Sequence, residues 1–227
     1  MDLPAVWNRE GLAETGLPVL WDESYVARLG VMPRNGGDQD VVWYEIDPCY
    51  VFHPLNSYED GDKIIIDVCR MDDTMKPGSS SPPQLFRWVI DQSKGTVAET
   101  QLDDRMADFP RVCDSKVGLK HQYGYCAAFA PSKPFADGFL KYDLKKNNSI
   151  FHNLRGGQGS EPVFVKNPGD ELEDSGWILS YVFRPETQTS EIVILNAQEF
   201  EAEPLARIQL PVRVPAGFHG NWVPDGY

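Results

Sequence analysis

Two histidines stand out because each follows a phenylalanine and borders Gly or Pro: His53 in Val51-Phe-His-Pro-Leu55 and His219 in Gly217-Phe-His-Gly-Asn221. Gly and Pro within strand-like text mark places where one backbone approaches another closely. Imidazole nitrogen ligates zinc, copper, iron and nickel alike, so two histidines cannot name a metal. They are also too few, since a catalytic site usually has at least three protein ligands and an open position. Taken singly, each reads as a hydrogen-bonded structural histidine; as a pair they become metal ligands only if the fold makes them meet. The remaining two, His121 in Leu119-Lys-His-Gln-Tyr123 and His152 in Phe151-His-Asn153, have polar neighbours and are expected at strand ends in solvent.

A ligating imidazole needs an acceptor for its other N–H, commonly a carboxylate. Asp108, in Ala107-Asp-Phe-Pro-Arg111, and Glu161, in Gly159-Ser-Glu-Pro-Val163, are the candidate acids beside strand starts. The plain alternative for both is a solvated turn carboxylate. No GxSxG elbow, phosphate-binding glycine loop or neighbouring Cys–His pair is present, so no catalytic group is read apart from the metal site. Gly156-Gly-Gln-Gly159 has no helix behind it and reads as a turn.

The elements that must position these residues are strands. β-branched or aromatic runs bounded by Gly, Pro, Asn or Asp recur through the chain, and no stretch keeps a 3.6-residue period over three turns. Strands are expected at Val26–Met32, Val41–Ile46, Tyr50–Phe52, Lys63–Arg70, Leu85–Ile90, Thr96–Leu102 and Tyr123–Phe129. Further strands are expected at Phe139–Tyr142, Ser149–Leu154, Pro162–Val165, Trp177–Phe183, Glu191–Leu195 and Ala206–Leu210. Three hairpins share a layout in which a strand ends at Asp91, Asp143 or Asn196 and a second strand returns after a polar turn. These residues lie 52 and 53 positions apart. That period holds four short strands and suits a propeller blade, with a two-sheet sandwich as the rival. On a propeller, the inner strands of successive blades line one central channel, and histidines far apart in sequence can converge there. Lys76–Pro83 reads as a flexible loop and Asn167–Gly176 as an acidic one.

The 227 residues suffice for a sizeable core, and 41% hydrophobic and 11% aromatic content marks a folded chain. A net charge of -13 argues against a nucleic-acid partner, which needs clustered cations. Cys49, Cys69, Cys113 and Cys126 form no CxxC pair and read as reduced, mostly buried thiols. No signal-like or membrane-spanning run is seen, membrane contact is not indicated, and a cytoplasmic location is expected.

Several motifs, in order, closely resemble the carotenoid cleavage oxygenase family, which includes carotenoid, apocarotenoid and lignostilbene dioxygenases. They are Tyr50-Val-Phe-His-Pro-Leu-Asn-Ser-Tyr-Glu-Asp-Gly-Asp62, Asp108-Phe-Pro-Arg-Val112 with His121-Gln-Tyr-Gly-Tyr125, Glu161-Pro-Val-Phe-Val165, Glu173-Asp-Ser-Gly-Trp-Ile-Leu-Ser180, Glu191-Ile-Val-Ile-Leu-Asn-Ala-Gln198 and Val214-Pro-Ala-Gly-Phe-His-Gly-Asn-Trp222. The resemblance implies an all-β fold, a partial seven-bladed β-propeller with about half of the blades present, residues 1–227 being its C-terminal portion. It implies Fe(II) held on the axis by four histidines, of which His53 looks like the third and His219 the fourth. Glu161 matches the acid supporting the last histidine, and Asp108 stands where the family has glutamate for His53. Aspartate is one methylene shorter and must come closer or act through water. The implied reaction is cleavage of a C=C bond of an apolar polyene or stilbene by O2 to two carbonyl products, with no organic cofactor. The missing N-terminal half, with the other two histidines, is required for a complete site. A non-catalytic partial propeller acting as a binding or structural module is the alternative.

Overall fold

Alternating apolar and polar residues write most of the chain as strand. The computed structural model describes residues 1–224 apart from Thr15, Pro77, Ser79, Ser80 and Ser132. Two short N-terminal hairpins come first: β1 (Ala5–Trp7) with β2 (Val19–Trp21), then β3 (Arg28–Val31) with β4 (Val42–Glu45). A first four-stranded antiparallel sheet follows, β5 (Tyr50–Asp60), β6 (Lys63–Met71), β7 (Gln84–Asp91) and β8 (Thr96–Gln101), in the order β5-β6-β7-β8. A second is built from β9 (Ala107–Arg111), β10 (Tyr123–Ala128), β11 (Gly138–Asp143) and β12 (Asn148–Asn153). In the third, β13 (Gln158–Gly159) and β14 (Val163–Lys166) both pair with β15 (Gly176–Arg184), which continues to β16 (Thr189–Asn196) and β17 (Ala206–Gln209). Three successive up-and-down sheets are the blade units of a propeller.

The expected strands are all found, with ends shifted by a few residues, except that β5 is much longer than Tyr50–Phe52. Proline normally interrupts a strand, but β5 is an edge strand, and register shifts flank His53-Pro54, where a missing N–H breaks no ladder. His53 is therefore inside a strand. The turn expectation also holds in detail. Asp91 Oδ1 accepts the amide of Lys94, Asp143 Oδ1 those of Lys145 and Lys146, and Asn196 Oδ1 that of Gln198. Strands β1, β2 and β9 and a one-turn helix at Gly11–Glu14 were not anticipated. Gly156 takes φ +83 in a turn, as expected, but Gln158–Gly159 continue as β13. Within the Lys76–Pro83 loop, Pro77, Ser79 and Ser80 lie outside the described residues. No helix among the described residues is long and apolar enough to cross a membrane.

Packing between adjacent sheets makes the core. Leu55, Cys69 and Leu85 of the first sheet meet Ala107, Cys126 and Leu140 of the second. Tyr125, Phe139 and Leu154 of the second region meet Phe164, Ile178, Val193 and Leu195 of the third. All four cysteines are buried and free, as expected. Burial pushes the Cys49 thiol up to about 11, so it stays protonated.

The polar neighbours of His121 and His152 misled: both rings are buried. His121 Nδ1 accepts from Asn56 Nδ2 at 3.1 Å, and His152 Nδ1 donates to the Phe200 carbonyl at 2.9 Å. Their partners lie 65 and 48 residues away, which no local pattern reveals. Burial pushes both pKa values down, which favours neutral imidazole in the folded protein. The unfolded chain then takes up protons that the folded one resists, so stability is full above an ordinary histidine pKa of about 6.5 and falls as pH drops below it. Unfolding midpoints measured from about pH 7.5 to about pH 5.5 should fall, and His121→Gln with His152→Gln should flatten the profile. A wild-type profile already flat over that interval would count against both histidines.

Candidate metal centre

The first strands of three consecutive sheets converge on one point. His53 stands on β5, Asp108 on β9, and Glu161 in the break between β13 and β14, where Pro162 interrupts the strand. The tail after β17 returns to place His219 there. The Nε2 atoms of His53 and His219 lie 3.3 Å apart. His53 Nδ1 is 2.8 Å from Asp108 Oδ1, and His219 Nδ1 is 3.3 Å from Glu161 Oε1. Glu161 Oε2 also accepts the Gly220 amide at 2.8 Å. The four residues singled out in the sequence are thus gathered. Neither acid is a solvated turn carboxylate: Asp108 is 7% and Glu161 5% exposed. The shorter Asp108 needs no bridging water, because β9 brings it directly against the ring.

Proton bookkeeping gives this geometry a chemical meaning. A carboxylate has only acceptor positions, so each Nδ1 must carry the proton that meets it. In the neutral rings, each Nε2 then presents a lone pair, and the two lone pairs face each other at 3.3 Å. Such a pair is satisfied by a cation between the nitrogens. A transition-metal ion about 2.0–2.1 Å from each nitrogen can bridge a gap of this size, so the donors fit. Among the described residues no group of three or more His, Cys, Asp and Glu gathers to hold a metal, so the pair is a partial ligand set. The nearest thiols do not enlarge it. Cys69, across the ladder from His53, is pushed well up by its hydrogen bond with Cys126 and by burial, and stays protonated.

Two neighbours escaped the sequence reading. Phe109 has φ +52, a left-handed conformation that a non-glycine residue rarely adopts, and strain of this kind gathers at functional sites. Its ring centroid lies 5.0 Å from His53 and 5.7 Å from His219. Arg111 Nη1 lies 3.4 Å from Glu161 Oε2 and donates to the Gly220 carbonyl at 3.1 Å, while Nη2 donates to Asn221 Oδ1 at 3.2 Å. A cation three residues after one candidate acid was the available signal. Beside Glu161 opens a cavity of about 210 Å³, walled by Val163, Leu179, Ile192 and Trp222.

The family described as RPE65, retinal pigment epithelial membrane protein, matches residues 1–224. A carotenoid cleavage oxygenase of Mycobacterium tuberculosis is 36% identical over 238 residues, covering 98% of this chain and 47% of that protein. An isoeugenol monooxygenase of Pseudomonas putida is 29% identical over 244 residues, covering 97% and 51%. The solved structure of cobalt-substituted Synechocystis ACO is similar with a TM-score of 0.82 and 29% identity, over 91% of this chain and 46% of that one. The chain spans about half the length of the curated relatives it matches.

Proposed function

Because the chain belongs to the RPE65 family, whose relatives include the carotenoid cleavage oxygenases, we propose that it supplies two iron-ligating histidines to an Fe(II)-dependent dioxygenase. The whole enzyme cleaves a C=C bond of a carotenoid, apocarotenoid or stilbene. The observation that carries this reading is the facing pair of Nε2 atoms, 3.3 Å apart, with each ring backed by its own buried carboxylate. A ferrous ion, when bound, supplies the redox chemistry by which the two atoms of O2 end on the two carbons of the cleaved bond.

The chain's own residues do the positioning. Asp108 and Glu161 hold the Nδ1 protons and thereby aim both lone pairs at one point. Neutral imidazoles add no negative charge at that point, and the two carboxylates provide it from behind the rings, across the Nδ1 hydrogen bonds. Phe109 and the cavity wall of Val163, Leu179, Ile192 and Trp222 offer an apolar surface suited to a polyene or stilbene. That a similar structure is of a cobalt-substituted protein supports reading the pair as ligands of a metal.

Metal analysis of the whole protein, paired with product analysis under O2 and under nitrogen, tests the proposal. Stoichiometric iron and oxygen-dependent formation of two carbonyl products are expected. A protein holding no iron and cleaving none of these substrate classes would overturn it. The second reading, a non-catalytic binding or structural module, is favoured by the count of only two imidazoles at the centre among the described residues. It fails if residues 1–227 alone bind iron stoichiometrically and turn over substrate.

A further inference from the structure

We propose that Arg111 is a positioning residue, and that β9 is one bracket holding both histidines: Asp108 braces His53, and Arg111 fastens the His219 segment three residues further on. This rests on reading the histidine pair as a metal centre. The difficulty is parity. In a regular strand, residues three apart point to opposite faces, so Asp108 and Arg111 should not serve one site. The ladder removes the difficulty. Asp108 pairs with Ala127 and Arg111 with Tyr125, so Phe109 and Pro110 together oppose Cys126 alone. This β-bulge inserts one residue and returns Arg111 to the face that Asp108 occupies.

Each residue of the bulge suits it. Phe109 takes the left-handed conformation at φ +52, and its amide is satisfied by Asp108 Oδ1 at 2.8 Å, the same oxygen that meets His53 Nδ1. Pro110 has no N–H to leave unpaired. Arg111, 19% exposed, then lays its guanidinium against three groups of the site, donating hydrogen bonds to the Gly220 carbonyl and Asn221 Oδ1 and ion-pairing with Glu161 Oε2 at 3.4 Å, while Asp114 Oδ1 of its own segment lies 3.6 Å from Nη2. Two of these three follow His219 directly in sequence and the third is the acid behind its ring. Among the described residues the tail carries no strand after β17, so its hold on the site rests on such contacts. A planar fork of five donors can bond both acceptors while facing the Glu161 carboxylate, which a lysine ammonium cannot.

The test uses the full chain and reads the bracket first without metal. In Arg111→Met, hydrogen exchange of the Gly220 amide should rise about tenfold or more, while that of Phe109 stays within about twofold. Arg111→Lys should fall between, since it keeps the charge facing Glu161 and loses the fork. Should Arg111→Met not fold, Arg111→Lys and Asn221→Ala are read instead, each expected to speed Gly220 exchange. Unchanged Gly220 exchange in the folded variants overturns the proposal. Titration of the whole enzyme, N-terminal half included, with Co(II), followed by its visible absorption, adds a signature that mere fold support would not move: Arg111→Met should weaken binding by about 10-fold. A wild-type whole enzyme taking no Co(II) would overturn the metal reading, and the exchange rates would still decide the bracket.

Discussion

If the proposed iron centre is correct, alanine at position 53 or 219 should strip the whole enzyme of metal. Loss of an outer partner of a ligating histidine typically weakens metal binding by about 10- to 100-fold, and loss of the ligand itself should exceed the upper end of that range. Asp108→Asn and Glu161→Gln supply the milder comparison. The amide can turn its NH2 toward Nδ1–H, which clashes, or its oxygen, which keeps the bond without the charge, so a decrease of about 10-fold is expected. Iron per chain after dialysis, together with oxygen-dependent cleavage, measures the series. The expected ranking places the histidine variants well below the acid variants, with melting temperatures close to wild type because His219 is exposed and His53 partly so. A His219→Ala protein that keeps its iron within a factor of two would remove His219 from the ligand set. Equal losses in histidine and acid variants, accompanied by unfolding, would make the cluster structural.

The strands were legible because their signals are local. Ile64, Ile65 and Ile66 beside Asp62 and Lys63, or Trp177 to Phe183 after Gly176, mark strand and boundary within ten residues. The repeat of turn acids was legible for the same reason, since each caps its own hairpin. Burial of the polar residues was not. Asp108 reaches His53 across 55 positions and Glu161 reaches His219 across 58, so each looks like a solvated turn carboxylate until its sheet is packed against the next. Their place beside strand starts made these two of the 34 acidic residues candidates, and the family resemblance assigned each to its histidine, which composition or periodicity would not have done. Arg111 was hidden most deeply. Its usefulness depends on a bulge whose left-handed residue is Phe109, where a glycine would have announced the turn. The length of β5 was hidden by Pro54, which reads as a stop unless the strand is known to lie at an edge.

Trp88→Ala should destabilise the protein more than any single change at the surface. Trp88 is fully buried between the β3–β4 hairpin and the first sheet, against Leu29, Tyr44, Val51, Val68 and Ile90. Its indole N–H donates to the Glu99 carboxylate directly across the ladder on β8, and Glu99 in turn meets Arg70 Nε at 3.1 Å. Truncating a buried tryptophan to alanine removes about 3–5 kcal/mol, a large share of a typical total of about 5–15 kcal/mol. At about 2–4 °C per kcal/mol for a chain of this size, the melting temperature should fall by about 6–20 °C. Trp88→Phe separates volume from hydrogen bonding. It keeps most of the packing, and the released Glu99 retains Arg70 and partial access to water, so a loss of about 1–2 kcal/mol is expected. A fall below about 3 °C for Trp88→Ala would mean that the hairpin repacks over the cavity and contributes little to the core. The variant also bears on the metal centre. Val51 packs in the Trp88 cluster and lies two residues before His53 on β5, with a register shift between them. That shift lets the strand adjust on one side without turning the ring on the other, so iron per folded chain should remain near wild type while the folded fraction falls.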